Sequence, residues 1–358
     1  MTMTIDQMSA RYVDPKMKEA AAKIPSRIVS ADDHVFEPHD LFKSLPQHIR
    51  DRAVNPPLET ANRPKGGLDP KLRVPDMDLD GISAAVLYPT YVLRQFAAEQ
   101  DVQEACFRAY NDWIAEYCKT APKRLFSIPC LSVYDVKGAI KEMQRCHDLG
   151  LLGGMIWQVP DPKLPLTSTH YDPLWAAAAE MGFPIHLHIL TGHNYKRHEA
   201  KGMEKIRGSV NIKTNDAVTS IYDLIWSGVF SRHPKLKVVM VEAEIGWMPF
   251  MLQQWDYYYK RNTKPGHPNE DFLIDRLPSE IFKDHVWATF MDDVVGAHML
   301  KVWGADNCMW SSDYPHGNMT WPNSRAFLGR MIGDLPLETQ KRLVCDNVVE
   351  LYRLQDRL

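Results

Sequence analysis

The chain has 358 residues, a net charge of −3 and 45% hydrophobic content. That length suits one large domain or two small ones, and the near-neutral balance excludes nucleic acid as the main partner. No apolar run reaches the roughly 20 residues that a membrane-crossing helix needs. The first residues, "MTMTIDQMSARYVDPKMKEAAAK", are mixed and charged, so no signal peptide is expected. Cys106, Cys118, Cys130, Cys146, Cys308 and Cys345 form no CxxC pair and read as reduced thiols of a cytoplasmic protein.

In chain order, residues 1–27 read as an N-terminal extension and 28–358 as one barrel domain. Short apolar runs start with "RIVSADDHV", then "GISAAVLYPT" (81–90), "RLFSIPCLSV" (124–133) and "LGGMIWQVP" (152–160). "FPIHLHIL" (183–190), "KLKVVMVEAE" (235–244), "HVWATF" (285–290) and "NCMWSSDYP" (307–315) follow. Between them, "VKGAIKEMQRCHDLG" (136–150) has helical spacing and a terminal Gly. "DPLWAAAAEMG" (172–182) offers an Asp N-cap, a first-turn Pro and a Gly stop. "LPLETQKRLVCDNVVELYRL" (335–354) reads as an amphipathic pair of terminal helices. Strands alternating with helices imply a parallel sheet, and eight candidates imply an α/β fold of the closed (β/α)8 TIM barrel type. Two Pro/Gly-rich or polar excursions, 55–75 and 191–215, read as long loops after strands one and five.

Barrel active sites lie at the C-terminal ends of the strands. There the sequence places Asp32, His34 and Glu37 after run one, and His186 with His188 in run five. Glu242 and Glu244 end run six, and Asp313 and His316 follow run eight. Residues i and i+2 of a strand share a face, so Asp32 and His34 point inward together, as do His186 and His188. Converging imidazoles and carboxylates are what a zinc, manganese or iron ion takes as ligands. Taken singly, a strand His is more often a satisfied core residue, and an Asp after a strand more often a helix cap. The coincidence of such groups at four strand ends is what favours a site.

"ADDHVFEP", "DMDLDGISAAVLYPT", "YDPLWAAAAEMGFPIHLH", "HPKLKVVMVEAEIGW", "SSDYPH" with "TWPNS", and "CDNVVELYRL" occur in this order along most of the chain. In that order the chain resembles the amidohydrolase-related, metal-dependent TIM barrels that include aminocarboxymuconate-semialdehyde decarboxylase and the resorcylate-type decarboxylases. The resemblance implies Asp32, His34, His188 and Asp313 as metal ligands. His188 is preferred to His186 because the family's Pro-x-x-x-His spacing fits Pro184 to His188. The family carries a His near the metal where this chain has Glu242. A carboxylate there is anionic at neutral pH unless buried, and it would oppose a bound substrate carboxylate.

With Glu37 and Glu242 added as ligands, the set resembles the family's branch of TIM-barrel non-haem diiron monooxygenases. That reading implies two iron ions, an external electron donor and a hydrophobic acyl substrate, possibly coenzyme A-linked. Glu242, Asp313 and His316 would act in catalysis. The alternative is a hydrolase or non-oxidative decarboxylase of a small carboxylic acid with one zinc or manganese. Arg197 and Lys201 of a basic loop, with Trp310 and Trp321, are the expected substrate contacts. The expected partners are a small-molecule substrate and further copies of the chain.

Overall fold

A computed structural model describes residues 13, 15–58, 63–193, 201–263 and 273–358, with the backbone alone over 204–214. Its strands are β1 Val29–His34, β2 Ala84–Tyr88, β3 Leu125–Ser127 and β4 Gly154–Ile156. β5 Ile185–His188, β6 Val238–Val241, β7 Val286–Phe290 and β8 Cys308–Trp310 complete the set. All pair in parallel, as β1–β2–β3 and as β4 to β8 in order. The two arcs join at both ends. The Leu131 N–H donates to the Met155 carbonyl at 2.8 Å, and across the other seam Asp313 N–H donates to Asp32 O at 3.1 Å and His34 N–H to Tyr314 O at 2.6 Å. The sheet is therefore a closed (β/α)8 barrel, which removes every exposed strand edge.

A helix follows each strand: α1 Pro70–Asp80, α2 Gln100–Cys118, α3 Val136–Asp148, α4 Asp172–Met181, α5 Met203–Trp226, α6 Met248–Asn262, α7 Val294–Trp303 and α8 Ser324–Ile332. Asp135 caps α3, accepting from Lys137 N–H, and α4 stops at Gly182 with φ +65°. The α4 cap is Tyr171, so Asp172 is the first helical residue rather than the cap. The extension helix Pro15–Ala20 packs on α8, where Gly329 leaves no room for a Cβ against the Ala20 backbone. The C-terminal stretch is one helical run, Leu337–Lys341, Arg342–Asp346 and Asn347–Tyr352, whose middle segment is a π-turn. No helix among the described residues is long and apolar enough to cross a membrane.

The loops after β1 and β5 are shorter than the sequence suggested. Residues 70–75 belong to α1, because Asp69 caps it and Pro70 opens it. Residues 203–215 are the first turns of α5, whose charged start lacks the apolar repeat that announces a helix.

Candidate metal centre

Register fixes which side chains enter the barrel. His34 pairs with Tyr88, and Met155 with His186, His188 with Val241 and Thr289 with Met309. Paired residues of parallel strands share a face. His34, Tyr88, His186, His188, Thr289 and Met309 therefore face inward, and Asp33 and Trp310 face outward.

At the mouth, Asp32, His34 and His188 are fully buried with their ligand atoms within 4.8 Å of one another. His34, Asp313 and His316 form an overlapping group of the same kind. His34 Nε2 lies 3.2 Å from His188 Nε2, 3.5 Å from Asp32 Oδ1 and 3.5 Å from Asp313 Oδ1. Each imidazole has Nδ1 against a backbone carbonyl, His34 on Pro89 O and His188 on Ile189 O, both at 2.7 Å. That leaves both Nε2 lone pairs aimed at the same point. Two lone pairs at 3.2 Å repel unless a cation or a shared proton lies between them. Asp32 Oδ1 and Asp313 Oδ2 are also buried without a hydrogen-bond donor. Buried carboxylate oxygens without donors beside paired imidazole lone pairs fit a divalent cation.

The strand ends supply this convergence with unusual backbone. Asp313, Glu242 and Glu244 have φ of 54°, 59° and 59°. Non-glycine residues in the left-handed region cost about 1–3 kcal/mol each and cluster at functional sites. Glu242 donates its N–H to Thr289 Oγ1 at 2.7 Å, and that hydroxyl lies 3.5 Å from Asp32 Oδ2. Glu244 points sideways, accepting the Met291 N–H at 3.1 Å.

His316 sits on the rim with its ring 3.9 Å from that of His34. Its Nδ1 is 2.8 Å from Asp313 Oδ1, and its Nε2 is hydrogen-bonded to the Thr90 hydroxyl at 3.0 Å. Burial opposes its charge, but Asp313, with Glu242 and Asp32, pushes His316 up to about 9. Burial holds His34 well below the usual imidazole value, helped by His316 and His188. His188 is raised instead: burial pulls it down, but the Asp32 carboxylate 3.7 Å away, with Glu242, outweighs it. A cation needs the unprotonated Nε2, so binding must expel the His188 proton. Manganese affinity of the metal-free protein is therefore expected to rise as pH increases above the usual imidazole value of about 6.5. Calorimetry in buffers of different ionisation enthalpy measures the released proton.

Several sequence expectations are corrected. Glu37 stands apart from both ligand groups: its carboxylate accepts the backbone N–H groups of Thr90, Tyr91 and Val92 at 3.0–3.1 Å. Burial pushes it up to about 7 against those donors. It anchors the loop whose Thr90 holds His316. Glu37→Gln, which turns an amide donor toward those N–H groups, is expected to cost about 1–3 kcal/mol of stability. Bound metal should stay at the wild-type level, and its loss would restore Glu37 as a ligand. Trp310 is fully buried between barrel and helices, its Nε1–H donating to Met291 O at 3.1 Å. Trp321 donates to Asp76 O at 3.0 Å and meets the Tyr314 ring edge-on. Both indole N–H groups are thus taken by backbone carbonyls. Arg197 lies outside the described residues, and Lys201 is exposed ahead of α5. His186, one pleat below His188, is hydrogen-bonded to the Tyr88 hydroxyl at 2.7 Å and stacks on Tyr352, away from the cluster. Sequence reasoning missed Thr90, Thr289, Asp33 and Arg73, whose partners lie far along the chain.

A (β/α)8 barrel with buried His and Asp side chains converging at its strand ends is the arrangement of metal-dependent barrel enzymes. The amidohydrolase family description (Amidohydro_2) matches residues 55–354, and the chain belongs to that family. Gamma-resorcylate decarboxylase of Polaromonas sp. is 24% identical over 257 residues, covering 69% of this chain and 77% of that protein. Two solved structures share the fold. An amidohydrolase of Mycobacterium avium subsp. paratuberculosis has a TM-score of 0.74 at 20% identity, covering 91% and 99% of the two chains. A dihydroxybenzoic acid decarboxylase of Polaromonas sp., with bound manganese and 2-nitroresorcinol, scores 0.68 at 19% identity over 92% and 98%. The diiron monooxygenase expected from Glu242 finds no support in these relatives.

Proposed function

We propose that the chain is a carboxy-lyase that removes carbon dioxide from a small aromatic acid with one divalent metal, manganese or zinc. The observation that carries the reading is the buried meeting of Asp32, His34, His188 and Asp313 in a chain whose relatives include decarboxylases of hydroxybenzoates. When bound, the metal would supply a Lewis acid that receives the substrate's oxygens. The two aspartates would balance the charge of that dication. Asp313 and His316 stand in contact on one side of it, where a proton must reach the ring carbon as the carbon–carbon bond breaks. The balance is simple: an arene carboxylate and one proton give the arene and carbon dioxide. Thr90 orients His316 through Nε2, and Thr289 joins Asp32 to the β6 strand end. The buried mouth excludes water, which strengthens each of these charge interactions.

The test is carbon dioxide release from hydroxybenzoates by manganese-loaded protein without oxygen. Release at an unchanged rate under anaerobic conditions supports the reading. A second reading, a two-metal oxygenase, is favoured only by Glu242 and His316, which add a carboxylate and an imidazole beside the four ligands. Turnover that stops without oxygen and requires a reductant would favour it.

A further inference from the structure

We propose that Arg73 is a positioning residue that holds the metal ligands of β1 and β8 in mutual register. Asp32 and His34 lie on one side of the barrel seam and Asp313 on the other. No regular ladder crosses this seam; the contacts between its backbones include Asp313 N–H to Asp32 O and His34 N–H to Tyr314 O. Arg73, on α1, is fully buried behind it. Its Nη1 donates to the carbonyl of His34 at 2.6 Å, and its Nη2 meets Asp33 Oδ2 at 3.0 Å. Its guanidinium lies over the Tyr314 ring, 4.8 Å from the centroid. Asp33 Oδ1 in turn accepts from Ser30 Oγ at 2.7 Å and from Ser312 Oγ at 2.6 Å. One cation and its carboxylate thus touch residues 30 and 34 on β1 and residues 312 and 314 after β8.

A buried ion pair is poor evidence of stabilisation, because desolvating two charges offsets their attraction. What this pair provides is geometry. The planar guanidinium donates in two directions while its face stacks, which a lysine ammonium cannot do. Metal–ligand distances tolerate only about 0.2 Å of drift, so a seam loosened by a fraction of an ångström weakens binding before it unfolds the chain.

The inference rests on reading the four ligands as a divalent-metal site. Metal-free full-length protein, titrated with manganese alone, tests both. Arg73→Lys is expected to weaken manganese binding roughly 10–100-fold, as loss of an outer partner of a ligand does. Ser312→Ala, a milder change that removes one donor to Asp33, should weaken it severalfold and keeps the test open if Arg73→Lys fails to fold. Asn111→Ala is the control: Asn111 is equally buried but grips Cys130 beyond β3, away from every ligand. It should lower Tm while leaving manganese affinity within twofold of wild type. Wild-type affinity in both seam variants, or an equal loss in Asn111→Ala at matched Tm, would overturn the inference. Wild-type protein that binds no manganese would instead overturn the metal site itself.

Discussion

His188→Ala is expected to abolish the rise in Tm that manganese gives the wild-type protein. His188 contributes one of two imidazole lone pairs converging at 3.2 Å, and its Nδ1 is fixed on the Ile189 carbonyl. Among the inward residues of β5, only His186 is chemically similar, and it is committed to Tyr88 one pleat lower. A ligand's loss should exceed the roughly 10–100-fold that losing an outer partner costs. At a manganese concentration 100 times the wild-type Kd, binding contributes about 2.7 kcal/mol to stability. Most of that should vanish in the variant, and thermal melts with and without manganese read it directly. A full manganese-dependent rise in Tm would return the ligand role to His186.

Glu242→His is expected to lower the KM for an aromatic acid on the order of 10-fold while bound metal stays unchanged. Glu242 follows β6 in a left-handed conformation and acts electrostatically on both His188 and His316. Asp32 and Asp313 would balance one dication, and Glu242, set electrostatically against His316, would add a further carboxylate beside a bound aromatic acid. Two like charges about 5 Å apart repel by roughly 3 kcal/mol at an effective dielectric of 20, enough to matter even when partly screened. A neutral imidazole removes that repulsion and can still pass a proton. If Glu242 instead bridges a second ion, the variant loses one metal equivalent, because an imidazole has one lone pair where a carboxylate has two oxygens. Steady-state kinetics with metal analysis of the same sample separates these outcomes.

The barrel was legible in the sequence because its signal is local. Eight short apolar runs, with helical patterns such as 136–150 and 172–182 between them, imply a parallel closed sheet without any long-range knowledge. The i, i+2 rule placed Asp32 with His34 and His186 with His188 on one face, and the structure shows both pairs inward. The rest depended on partners distant in sequence. Glu37 has the composition of a ligand, but the three amides that occupy it lie 53 to 55 residues further on. Trp310 lies beside the site in sequence, but register with Phe290 turns it outward. Asp33 sits between two ligands, and only the fold shows that it faces Arg73, 40 residues away. Helix α5 was hidden because its charged first turns carry no apolar period.

We propose that this chain builds a site for one divalent metal from Asp32, His34, His188 and Asp313. Equilibrium titration of metal-free protein with manganese, counting ions per chain, tests it most directly. One tightly bound ion per chain, reduced in His188→Ala and retained in Glu37→Gln, is the expected result. Two ions per chain in the wild type, or none, would contradict the account.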